Sequence, residues 1–166
     1  MEYKKPTPHE LVISFIRTDK QHKSLVEMKM SDLNIHRSQH MMLRCINSFE
    51  EPPTQKQISE KLDISAATVA VTLKKLEASG YITKVTSDGD SRCNKVSVTK
   101  KGIDILLKGK EIISKIDEDT IQGLSDEELA IFSGCLLKIQ DNLRKSGAVI
   151  PCENICTNNG ERNDNK

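Results

Sequence analysis

Two hydroxyls, two small apolar side chains and a string of cations stand close together in the middle of this sequence: Ser65, Ala67, Thr68, Val71, Lys74, Lys75, Lys84, Arg92 and Lys95, with Asp90 two residues from the arginine. Nucleophile, base and acid are not grouped there, so the chemistry on offer is recognition. Lysine and arginine hold phosphate oxygens, hydroxyls hydrogen-bond to base edges, and methyl-bearing side chains meet the methyl group of thymine. The charge distribution marks the same region. Residues 54–101 carry nine Lys and Arg against five Asp and Glu, residues 1–53 eight against seven, and residues 102–166 eight against twelve. A chain of net charge +1 therefore concentrates its positive excess around these side chains, as a phosphate-binding surface requires.

The elements that must position them are legible in the stretch TQKQISEKLDISAATVAVTLKKLEASGYITKVTSDGDSRCNKVSVT, residues 54–99. Pro52 and Pro53 forbid helix before Thr54, and Thr54 with Gln57 makes a T-x-x-Q capping box that starts one. Ile58 and Leu62 share a face of that helix, Asp63-Ile64 breaks it, and Ser65 caps the next. In the second helix Val69, Thr72, Leu73 and Leu76 fall at i, i+3, i+4 and i+7, so one stripe faces a core. Ala67, Val71, Lys74, Lys75 and Ala78 form the opposite stripe. Gly80 stands where a left-handed residue stops a helix, and Tyr81-Ile82-Thr83-Lys84-Val85 then alternates as a strand. Thr86 to Cys93 has turn chemistry around Asp88-Gly89-Asp90, and Lys95-Val96-Ser97-Val98 returns as a second strand. Helix, turn, helix and hairpin in this order spell a winged helix-turn-helix.

These residues resemble the MarR family of bacterial transcriptional regulators, whose wing carries a D-x-R followed by alternating apolar residues and a Thr; here it reads Asp90-Ser91-Arg92, Val96, Val98, Thr99. The resemblance extends upstream through Ile35-x-x-x-Gln39-x-x-x-Leu43 and downstream through Gly123-Leu124-Ser125-x-x-Glu128, and so covers most of residues 8 to 146. It implies a homodimeric DNA-binding regulator, in many relatives a repressor responsive to a small molecule bound between dimerisation helices and DNA-binding unit. Many relatives carry Arg where Val71 stands, the usual bidentate reader of guanine, so this chain points to an AT-rich site or to specificity carried by DNA shape and wing.

Helix-turn-helix geometry places the second helix in the major groove and the wing along the backbone into the minor groove. Ser65 and Thr68 are then hydrogen bonders to bases, Ala67 and Val71 apolar partners of thymine methyls, and Lys74 and Lys75 phosphate ligands. Arg92 is the wing's guanidinium, suited to a narrow minor groove, with Asp90 orienting it; a surface salt bridge between the two is the competing reading. Lys84 and Lys95 complete the basic surface.

The flanking sequence reads as helix. With 3% aromatic residues and no Trp, the core is built of Leu, Ile, Val and Met, which suits packed helices, and 166 residues fit one domain. The fold class expected is mainly α with a small β-hairpin wing, plus a helical dimerisation region. Thr7-Pro8-x-Glu10 opens a helix to about Met30, with a polar interval at Asp19 to Lys23 that could bend it. A second runs from His36 to Ile46 and buries Met42, Leu43 and Ile46. His36 is read as a cap and His40 as polar surface. Thr99 caps a helix whose apolar positions are Ile103, Leu106, Leu107, the stem of Lys110, Ile113 and Ile116. Ser125 caps the last, whose face is Leu129, Phe132, Leu136, Ile139 and Leu143. Residues 8–30 and 125–145 carry apolar stripes that pairing across a dimer would bury, residues 1–146 form one domain, and residues 147–166 read as a disordered tail.

Alternatives remain from other classes. His36 and His40 lie one helical turn apart and Cys152-x-x-x-Cys156 stands within the last fifteen residues, so a metal-responsive regulator is an alternative, although each pair lacks further ligands. A thiol switch would need a reactive Cys; Cys45 sits in an apolar helix and reads as core. A winged helix used to bind protein would contact a partner through the same surface, against the cations noted above. No phosphate loop, metal triad or Ser-His-Asp set suggests an enzyme, and no cofactor is called for. No stretch approaches the roughly 18 apolar residues of a membrane span, and MEYKKPTPHEL lacks the apolar core of a secretion signal, so a cytoplasmic protein with reduced thiols is expected.

Overall fold

The computed structural model of the protein describes residues 5–85 and 95–148. Among these residues six helices and one hairpin follow in the order α1 (Pro8–Ser31), α2 (Arg37–Asn47), α3 (Gln55–Leu62), α4 (Ala66–Ala78), β1 (Ile82–Val85), β2 (Lys95–Val98), α5 (Lys100–Ile121) and α6 (Asp126–Lys145). The fold is thus mainly α with a β-hairpin wing, as the sequence implies. The turn of the wing, with Cys93, and all but the first two residues of the expected tail, with Cys152 and Cys156, lie outside the described residues.

The helix starts follow their capping residues. Thr7, Thr54 and Ser125 each accept the N3 backbone N–H while the N3 side chain of Glu10, Gln57 or Glu128 reaches back, and Ser65 and Thr99 accept from Thr68 and Gly102. Each such cap satisfies a backbone donor that the helix leaves orphaned, worth about 1 kcal/mol. α1 is one uninterrupted helix, so the polar interval at Asp19 to Lys23 does not break it; there a Lys23–Asp19 pair at 2.7 Å replaces apolar packing.

α2, α3, α4 and the wing close around one core in which Met30, Met42, Leu43, Cys45, Ile58, Val69, Leu76 and Val96 are almost wholly buried. β1 and β2 pair antiparallel with Ile82 opposite Val98 and Lys84 opposite Val96. The chain before α3 adds a third rung, since Thr54 bridges Lys95 and the Val96 N–H donates to the Pro53 carbonyl at 3.0 Å. The base of the wing is thereby tied to the start of the helix-turn-helix.

α5 passes close over this unit at two glycines. A Cβ at Gly102 would run into the carbonyl of Tyr81 and Cγ1 of Val98, and one at Gly109 would run into the imidazole of His40. His40 is consequently in the core, 1% exposed, and not at the surface as expected; its Nε2 lies 3.4 Å from the Leu106 carbonyl. Leu107 corrects a second expectation. It is 56% exposed, because the inward face of α5 runs through Gly102, Leu106, Gly109 and Ile116, and Lys110 likewise lies outside it.

The two ends of the chain carry apolar surface that this core leaves uncovered. Leu11, Val12, Phe15 and Ile16 of α1 and Ile131, Phe132, Leu137, Ile139 and Leu143 of α6 are exposed, and α6 has no buried residue.

Candidate nucleic-acid interface

The α3–α4 turn is tight because Asp63 adopts the left-handed conformation, φ 50°, a strained choice for a residue with a Cβ that Asp tolerates better than most. Ile64 N–H then bonds back to the Ser59 carbonyl at 3.2 Å, and the Ser59 hydroxyl donates to the Ile64 carbonyl. With the turn fixed, α4 lies with Val69, Leu73 and Leu76 inward and Ser65, Ala67, Thr68, Val71, Lys74 and Lys75 outward, all six exposed. The structure brings these six onto one helix face, as their spacing requires.

Their polar atoms differ in what remains available. Ser65 Oγ accepts the Thr68 N–H at 3.1 Å and lies 2.8 Å from Thr68 Oγ1, so one hydroxyl donates to the other. Lys74 and Lys75 form no ion pair with any described residue. Lys84, by contrast, is engaged, its Nζ 2.8 Å from Glu77 Oε2 across the junction of α4 and β1. Lys95 is half-buried at the start of β2, beside the Thr54 bridge. Asp90 and Arg92 lie outside the described residues. Ala66 and Ala70, which the reading of the sequence passed over, are exposed beside Ala67 and Val71. The signal was present in the sequence, since both lie off the Val69–Leu73–Leu76 stripe.

The candidate switch groups sit elsewhere. His36 is the N-cap position of α2, as read from sequence, with Nδ1 2.7 Å from Glu27 Oε1, a bond that holds the Glu27 carboxyl below the usual carboxylate range. His40 points into the core and burial pushes its imidazole below the ordinary histidine range; the bond to the Leu106 carbonyl opposes this and the nearby Arg44 charge reinforces it. The two histidines therefore do not converge on a common ligand, and no group of three His, Cys, Asp or Glu among the described residues could hold a metal. Cys45 is fully buried, the core residue expected, while Cys135 is a free thiol on the exposed surface of α6. Among the described residues no helix is long and apolar enough to cross a membrane.

A turn of this tightness between two helices, followed by a hairpin tied to the first of them, defines a winged helix-turn-helix. The model described as MarR family matches residues 33–92, the segment that holds α2, α3, α4 and the first wing strand. Solved structures show the same fold over most of the chain. The crystal structure of MepR, a transcription regulator of the Staphylococcus aureus multidrug efflux pump MepA, is 22% identical with a TM-score of 0.71, covering 83% of this chain and 99% of its own. The S. aureus MepR–DNA complex is 22% identical with a TM-score of 0.66, over 84% and 100%. An organohalide-sensing transcriptional regulator in its 2,4-dichlorophenol-bound form is 14% identical with a TM-score of 0.68, over 92% and 94%.

Proposed function

We propose that this chain is a sequence-specific double-stranded DNA-binding transcriptional regulator, a cytoplasmic homodimeric repressor that a small molecule releases from its operator. The observation that carries this reading is the outward face of α4: Ser65, Ala67, Thr68 and Val71 exposed along its first half and Lys74 and Lys75 exposed behind them, unpaired with any described residue. An α-helix presented in this way fits the major groove of B-DNA, with its N-terminal half at the base edges and its cations at phosphates. Lys95, with Asp90 and Arg92 shortly before it in the sequence, extends the contact toward the minor groove. The similarity of fold to the MepR–DNA complex supports the reading.

One helix-turn-helix offers few contacts, so two are needed on matched half-sites. The exposed apolar residues of α1 and α6 supply a surface on which a second copy would pack. Residues 1–146 are then the working unit, 54–99 its DNA-binding part, with 147–166 dispensable. The 2,4-dichlorophenol held by the organohalide-sensing regulator supports an aromatic effector as the release signal.

The test is binding of the pure protein to duplex DNA from upstream of its own gene, compared with random duplex of equal length, with and without a panel of substituted phenols. Preference for the upstream duplex, lost on adding one of the phenols, is the expected result. Equal affinity for both duplexes rejects the operator-specific reading.

A further inference from the structure

α4 has an unusual shortage of groups with which to read a base by hydrogen bonding. Its sequence, AATVAVTLKKLEA, contains no Arg, Asn or Gln, the side chains that make bidentate contacts with guanine or adenine. Its hydroxyls are largely committed. Thr72 Oγ1 donates to the Thr68 carbonyl at 2.9 Å. Ser65 and Thr68 hold two hydroxyl protons between them, one of which is spent in the 2.8 Å bond joining them, so a single O–H remains for a base. What the first two turns present instead is methyl groups. Ala66, Ala67, Ala70 and Val71 are all exposed, and Val71 is 58% exposed although an apolar side chain could have been buried on the opposite face. The cations begin only at Lys74, past the stretch that meets the base edges, and Lys84 is held by Glu77.

From this we infer that the recognition helix selects its site by the C5-methyl groups of thymine, read by Val71 and Ala67, with one hydroxyl donor from the Ser65–Thr68 pair. The major-groove edge of an A·T pair differs from that of the other pairs in displaying this methyl, and burying it against an apolar side chain removes both from water. Ala67 and Val71 are four residues apart, about 6 Å along the helix axis, which matches roughly two base-pair steps at 3.4 Å each. The half-site should therefore hold thymines about two steps apart. The inference rests on the DNA-binding reading above and adds to it the chemical group that is recognised.

The experiment begins by selecting duplexes from a random-sequence pool with the full chain and measuring the affinity of the enriched duplex. Each thymine is then replaced in turn by uracil, which keeps every hydrogen-bonding group and removes only the methyl. Each of the two paired thymines of a half-site should lose about fourfold on replacement, the worth of one buried methyl-sized group, and replacing both roughly fifteenfold. Val71→Ala, at an exposed position where folding is not at stake, should bind the thymine and uracil forms alike at the position Val71 reads. Equal affinity of the wild type for both forms at every position overturns the inference, as does a uracil loss as large in Val71→Ala as in wild type, which would mark an effect on DNA shape. Enrichment of a site lacking paired thymines overturns it too. Failure to enrich any sequence, with no binding to duplex DNA at low salt, would instead reject the DNA-binding reading itself.

Discussion

His40 is the one polar side chain buried in the core among the described residues. It lies on α2 where α5 passes at Gly109, buried, with its Nε2 3.4 Å from the Leu106 carbonyl and the charge of Arg44 near it. Its pKa is lowered in the folded state, so the unfolded chain binds the proton more readily. Stability is then at its full value above the ordinary histidine value near 6.5 and declines as pH falls below it toward the folded-state pKa. The carboxylates of Glu10 and Glu27, also lowered, act below their ordinary value of 4.5, which separates the two windows. Melting temperature should fall between about pH 6.5 and 5 in the wild type and fall less steeply in His40→Gln. Parallel curves would mean that His40 does not titrate in this range. Lys84 makes a second case at this scale. Because Glu77 already neutralises it, Lys84→Ala should change the salt dependence of DNA binding less than Lys74→Ala does, and an equal change would show that the pair opens on DNA.

Among the elements, α5 carries the constraint that is least forgiving. Gly102 lets its first turn approach the Tyr81 carbonyl, which accepts the Thr99 N–H, while Thr99 caps α5 through the Gly102 N–H. Wing and helix are thereby set by one close contact against backbone, which cannot move aside as a side chain can. Gly102→Ala should cost about 1–3 kcal/mol by overpacking, seen as a lower melting temperature, despite the better helix propensity of Ala. A rise in melting temperature would refute the contact. The starts of the helices were legible in the sequence because capping is local: a Thr or Ser and a partner three residues on suffice, as at Thr7, Thr54 and Ser125. The inward face of α4 was legible because its large aliphatic residues Val69, Leu73 and Leu76 recur at helical spacing, while the apolar residues turned outward are alanines and one valine. The face of α5 was not, since apolar residues at 103, 105, 106, 107, 112, 113 and 116 surround the helix and the deciding residues are glycines without a hydrophobic signal. His40 was misplaced for the same reason. Its room in the core is made by Gly109, 69 residues away, and such a pairing has no short-range mark. The Glu77–Lys84 bond likewise joins a helix to a strand whose relative placement the sequence alone does not give.

At the level of the whole molecule, one core gathers α2, α3, α4, the hairpin and the inward residues of α1 and α5, while the first turns of α1 and the length of α6 leave apolar surface uncovered. Phe132→Glu combined with Leu143→Glu changes two exposed positions of α6 and should leave the fold intact while converting the proposed dimer into monomer at micromolar concentration, as sedimentation would record. A double variant that still sediments as a dimer would exclude this face. Whether α4 faces phosphate and base is measured most directly by the affinity of the full chain for its upstream duplex across a salt series. The logarithm of the binding constant should fall linearly with the logarithm of salt concentration, and Lys74→Ala or Lys75→Ala should reduce the slope by about one unit per half-site, the signature of released counterions. Binding that ignores salt, or a slope unchanged in both lysine variants, would contradict that placement of α4.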